Sequence, residues 1–159
     1  MRGAAVLLCV ACVAAAAIGQ ATSAGLSLRA VAEVEVTSIR DGQTSVRLAP
    51  AERVVPGDAV IYTLEIRNAG KVAVRSPVVT YAIPAHMSYV EDSATGPGAE
   101  VSYSLDGHQF DRPENLHVPG SDGHERLAMP QEYTHIRWNL KNTLKPKSVA
   151  FARFRAIVK

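Results

Sequence analysis

The stretch Ala59-Val60-Ile61-Tyr62-Thr63-Leu64-Glu65-Ile66-Arg67-Asn68 decides the fold. Counted by twos, Val60, Tyr62, Leu64 and Ile66 line one side, and Ile61, Thr63, Glu65 and Arg67 the other, which turns polar along its length. A period of two belongs to a strand with one face against a core, because successive side chains leave a pleated backbone in opposite directions. Turn formers bound the stretch. Pro56 presets its own φ, Gly57 permits a tight turn, and Asp58 can accept hydrogen bonds from nearby backbone amides. Beyond the strand stand Asn68 and Gly70, residue types that tolerate left-handed backbone at a strand's end.

Working outward, the same period recurs. Ala30, Ala32, Val34 and Val36 alternate with Glu33 and Glu35, and Val46 and Leu48 alternate with Ser45 and Arg47 after the hairpin signal Asp41-Gly42. Val78 to Ile83 is short and mostly β-branched and ends at Pro84, where pairing should stop for want of an amide proton. Met87 to Val90 is a brief apolar piece. Val101, Tyr103 and Leu105 alternate with Ser102 and Ser104, Ile136, Trp138 and Leu140 with Arg137 and Asn139, and Ala150, Ala152, Phe154, Ala156 and Val158 with Arg153 and Arg155. No helical stripe interrupts this pattern after residue 28. Short strands at this spacing, about seven to nine of them, predict an all-β antiparallel β-sandwich, with a small barrel as the alternative. The sandwich is preferred because each strand carries one apolar face, enough to line one side of a two-sheet core. Trp138 is predicted to be a core anchor.

Residues 1–24 read as an export signal that is cleaved off. Met1-Arg2-Gly3 is a cationic start, Ala4 to Ile18 is an apolar run shorter than the roughly 20 residues a spanning helix needs, and Thr22 and Ala24 place small side chains at −3 and −1 of a cut after Ala24. The remaining residues, 25–159, are the size of one domain. Both cysteines, Cys9 and Cys12, lie in the signal, so the mature chain has no thiol for a disulfide or a nucleophile. An exported domain without disulfides fits a bacterial periplasm or exterior. Of 17 basic residues only Arg2 is in the signal, leaving 16 against 15 acidic ones. That balance argues against a nucleic-acid partner. No second apolar stretch reaches spanning length, so no membrane insertion of the mature chain is expected.

Gly107 to Tyr133 breaks the regular spacing. Pro113, Pro119 and Pro130 with few apolar residues exclude a single strand or helix, so 107–133 is expected to be a long irregular loop, with Leu116 and Val118 as a short edge strand.

The run Val55-Pro56-Gly57-Asp58 through Tyr62-Thr63 to Asn68-Ala69-Gly70, followed by Val78-Val79-Thr80-Tyr81-Ala82-Ile83-Pro84, Tyr89-Val90 and Ser93, resembles a bacterial repeat domain, the family known as domain of unknown function eleven. The likeness covers Val46 to Ser93, and more loosely extends to Val158 through Tyr103-Ser104-Leu105-Asp106-Gly107. Tyr81 stands where the family usually has Asp. The resemblance implies an immunoglobulin-like sandwich in bacterial envelope or surface proteins, and it carries no catalytic residues to transfer. Its shared residues are those that shape turns and strands.

Chemistry-bearing residues are sparse. His86, His108, His117, His124 and His135 show no His-x-His or other short metal-ligand spacing. His108, Asp111, His117, Asp122, His124 and Glu125 do crowd the 107–133 loop, but no metal or cofactor ligands are assigned. Asp106 to Asp111 lacks the alternating oxygens and closing Glu of a calcium loop. No Gly-x-Ser-x-Gly or Ser-x-x-Lys motif occurs, and the carboxylate pairs Glu91/Asp92 and Glu33/Glu35 sit at a turn and on a wet face, so no catalytic residue is named. Arg137, Arg153 and Arg155 would make a basic strip if their strands paired, but the preferred reading is that they blunt an exposed sheet face, as charges on such faces usually do.

The expected function is therefore that of a non-catalytic module of the bacterial envelope, periplasmic or secreted, that contacts an envelope protein or surface polymer through loops and strand edges. The alternatives are a module whose 107–133 loop binds a divalent metal or a sugar, and an envelope hydrolase using His117 or His124.

Overall fold

Each run of alternating residues forms a strand in the computed structural model, which describes residues 20–21, 25–40 and 42–159. In chain order the strands are β1 (Gln20–Ala21), β2 (Leu26–Arg40), β3 (Gln43–Pro50), β4 (Ala59–Asn68), β5 (Val78–Ala82), β6 (Met87–Tyr89), β7 (Ala99–Ser104), β8 (His117–Pro119), β9 (Glu125–Leu127), β10 (His135–Leu140) and β11 (Val149–Val158). All pair antiparallel. One sheet has the order β3-β2-β4-β11-β6, the other β1-β5-β10-β7, and β8 and β9 form a separate hairpin. The chain is an all-β antiparallel sandwich. It has more strands than the seven to nine expected, because β1 joins a sheet and the 107–133 excursion holds a hairpin of its own. The expected signal, residues 1–24, and its cut after Ala24 lie outside the described residues except for β1.

The two sheets bury the faces that the alternation marks. Val60, Tyr62, Leu64 and Ile66 of β4 and Ala152, Phe154, Ala156 and Val158 of β11 meet Val79 and Tyr81 of β5 and Ile136, Trp138 and Leu140 of β10, all buried. Trp138 is fully enclosed. Its indole N–H is a buried donor without a hydrogen-bond partner, so packing and not polar pairing holds it.

Two features of the strands go beyond what the alternation gives. Neither Asn68 nor Gly70 adopts a positive φ, whereas Gly57 does, at 95°. The Asn68 side chain instead ties three backbone groups together. Fully buried, it donates from Nδ2 to the carbonyls of Val72 (2.8 Å) and Leu144 (2.9 Å) and accepts the Gly70 N–H at Oδ1 (3.0 Å). Gly70 is needed for space, since a Cβ there would lie 3.2 Å from that oxygen. The turn Asp behaves as expected, Asp58 Oδ2 accepting the Val55 N–H at 2.8 Å. The second is at Val46 and Leu48, whose apolar face points to solvent; among the described residues β3 pairs only with β2, and no second sheet covers that face.

Replacing Asn68 by Ala strands two carbonyls and an N–H at a buried site, so Asn68→Ala should lower stability by about 2–4 kcal/mol, read from urea unfolding followed by Trp138 emission. A change near zero would show that water replaces the side chain. A second expectation concerns alkali. Burial, with Tyr81 nearby, pushes the Tyr62 phenol from 10.0 up to about 12. The folded state thus holds that proton more tightly than the unfolded one, and its contribution is complete below pH 10 and lost as pH rises toward 12. The urea midpoint should fall across that window, and less steeply in Tyr62→Phe.

Candidate interaction surface

The 107–133 excursion is ordered. Asp111 extends the edge of β7 by exchanging backbone bonds with Tyr103 (2.8 and 3.0 Å), and two one-turn 3-10 segments, Pro113–Asn115 and Pro130–Glu132, flank the β8–β9 hairpin. Leu116, Ala128 and Tyr133 are buried and pin the excursion to the core. Glu132 locks its far end, accepting two bonds from the Arg126 guanidinium (2.8 Å each) and one from the Met129 N–H (2.7 Å). Those bonds, Arg126 first, hold the Glu132 carboxyl at about 2, below its ordinary 4.5.

The residues singled out for chemistry do not converge. His108, Asp111, His117, Asp122, His124 and Glu125 are all exposed, and their bonds are local. Asp111 accepts from the Arg112 N–H and Asn115 Nδ2, Asp122 accepts from the His124 N–H, and the His117 ring meets the Asn115 carbonyl at 3.3 Å. Among the described residues no three of His, Cys, Asp or Glu are placed to hold a metal ion. Asp106 is the most engaged carboxylate, but its Oδ1 is used up by the N–H groups of His108 and Gln109 and by the Ser104 hydroxyl, which lower it from 3.8 to about 2. It is a turn-former. His86 is exposed, and His135 is half-buried against Thr134 Oγ1 at 2.8 Å.

The three arginines do not line up as one strip, being split between the two sheets. Arg137 belongs to β10, where its guanidinium lies 3.5 Å from the Phe110 ring centroid and its Nε donates to Thr80 Oγ1. Arg153 and Arg155 lie on the outer face of the five-stranded sheet, donating to Thr63 Oγ1 (3.2 Å) and Glu35 Oε1 (2.6 Å). The Arg155–Glu35 bridge passes over β4, where Ile61, an outward residue, is only 3% exposed. Alternation alone had marked the three arginines as alike, but the order of the strands separates them.

This outer face continues into an arm. β2 pairs with β4 from Leu26 to Val34; from Glu35 to Arg40 its sole neighbour among the described residues is β3, which closes on it with Arg40 opposite Gln43. An isolated two-stranded ribbon has little stability of its own, so the arm depends on its root in the sheet. On one of its faces stand Leu48 opposite Glu35, Val46 opposite Thr37 and Ile39 opposite Thr44. Ile39 is 76% exposed and Val46 61%. At the root, Glu35, Thr37, Arg53, Asp58, Ile61 and Arg155 border an open cleft of about 380 Å³. Alternation assigned Val46 and Leu48 to the core; the available signal to the contrary was their closeness to the Asp41-Gly42 turn, which puts them near a ribbon tip.

No helix among the described residues is long and apolar enough to cross a membrane. Comparison with protein-family models, curated proteins and solved structures finds no match.

The Glu132 lock yields a test of how the excursion is held. A depressed carboxyl contributes order that is present above its unfolded value near 4.5 and lost as pH falls toward 2. Glu132→Gln at neutral pH should reproduce the acid behaviour, raising protease cleavage within 117–132 severalfold while global unfolding stays nearly unchanged. Unchanged cleavage would show that Leu116, Ala128 and Tyr133 suffice.

Proposed function

We propose that this chain is an exported, non-catalytic module of the bacterial envelope that binds another envelope protein through the β2–β3 arm. The observation that carries the reading is the exposed row Leu48, Val46 and Ile39 on one face of a ribbon that no second sheet among the described residues covers. Contiguous exposed apolar side chains rimmed by polar ones favour a protein partner over a hydrated polymer. Uncharged Thr37 and Thr44 complete the face, and the paired Glu35 and Arg155 leave no large excess of either charge at its root. The export segment and the likeness of Val46–Ser93 to a bacterial envelope repeat support the compartment. The dispersal of the histidines and carboxylates supports a binding role over metal chemistry or hydrolysis.

A photo-crosslinking residue placed at Val46 should capture a discrete protein in cells that make the chain. The same probe at Glu91, which follows β6 at the opposite edge of the sheet, should not. Equal capture at both positions, or a free monomer with the probe at Ile39, Val46 or Leu48, would overturn the reading. Val46→Asp should abolish the captured species without changing the unfolding midpoint, because the side chain already stands in water.

A further inference from the structure

Only residues 22–25 separate β1 from β2, yet the two strands belong to different sheets. β1 pairs antiparallel with β5, Gln20 opposite Thr80 and Ala21 opposite Val79, while β2 starts on β4 with Leu26 opposite Asn68. At the β2 end of this link Gly25 has a φ of 89°, and its carbonyl accepts the Ala69 N–H at 2.9 Å. A Cβ at Gly25 would lie 3.4 Å from the Gly70 Cα, so the two backbones touch there. β1 therefore straps the four-stranded sheet to the five-stranded one.

β5 is the strand that would suffer from losing this strap. Its sequence, Val78-Val79-Thr80-Tyr81-Ala82, holds no charge and no proline, the devices that keep sheet edges from pairing with strangers. The other ends of the two sheets are guarded: β6 has three residues, β7 carries Asp111 across from Tyr103, and β3 presents Arg47.

Signal peptidase accepts small side chains at −3 and −1. Thr22 and Ala24 fit that rule, and so do Ala17 and Gly19. A cut after Ala24 discards β1; a cut after Gly19 keeps it whole. Cleavage precedes folding, so the fold does not steer the enzyme, but it shows which residues have a place in the finished domain. We propose that processing occurs after Gly19, so that the mature protein begins at Gln20 and retains β1 as the cover of β5. This rests on the reading of the N-terminal residues as an export signal.

Intact mass and N-terminal peptide analysis of the exported protein, made from the full chain with a C-terminal tag, tests it. The expected start is Gln20, either as the free amine or as the lactam formed when that amine attacks the side-chain carboxamide and ammonia leaves. A start at Gly25 overturns the proposal and leaves export intact, whereas a start at Met1 overturns both. A second measurement bears on the strap itself: the chain beginning at Gln20 should melt at a higher temperature than the chain beginning at Gly25. Equal midpoints would overturn the role given to β1.

Discussion

Phe154 is where the two sheets are joined. It stacks on Tyr62, its partner across the β4–β11 ladder, with ring centroids 4.9 Å apart and planes 8° from parallel. From the opposite sheet Tyr81 and Trp138 lean on it at 5.8 and 6.2 Å, and Tyr89 of β6 approaches at 6.5 Å. One ring thus meets rings from β4, β5, β6 and β10. Such a crowd fits between sheets packed about 10 Å apart only if its neighbours along the strand are small. Ala152 and Ala156, on either side of Phe154 on the same face, meet that condition.

The aromatic packing continues beyond the two sheets and explains why the long excursion is ordered. Tyr89, Tyr103 and Tyr133 form a second cluster, with centroid distances of 4.8 to 6.0 Å, and the Tyr89 and Tyr103 hydroxyls share a hydrogen bond of 2.9 Å. Tyr133 closes the excursion, so its terminus is fixed in the core while its middle is held by Leu116 and Ala128. Burial of apolar side chains offsets the entropy of ordering a segment poor in regular structure. The polar residues that crowd this segment are left exposed, with Asp106, Asp111 and Asp122 bonded to their own turns. The β8–β9 hairpin and the β2–β3 arm are both two-stranded extensions beyond the sandwich.

The arm and the strap make opposite use of sheet geometry. In the arm, β2 runs past the last residue of β4 that can pair with it, and its apolar side chains find no opposing layer. At β1, two residues pair with Thr80 and Val79 of an uncharged strand, and Gly25, four residues on from Ala21, touches the neighbouring sheet. Both features sit at the boundary of the sandwich, where partners decide what is buried.

Much of this was legible in the sequence. The alternation of 59–68 and 150–158 identified the strands and named their inward residues, because side-chain direction along a pleated chain is a local property with a fixed period. Pro56-Gly57-Asp58 marked a turn for the same reason, and Asp41-Gly42 marked one of which Gly42 is described, with a φ of 76°, while Asp41 lies outside the described residues. What the tertiary structure alone decided was which strands are neighbours, and with that which apolar faces are covered. Arg137 is parted from Arg153 and Arg155 because β10 and β11, adjacent in the chain, enter different sheets. Asn68 finds the Leu144 carbonyl 76 residues away, and Val46 stays in solvent. Alternation states that a face is apolar; only long-range pairing determines whether another layer comes to lie on it.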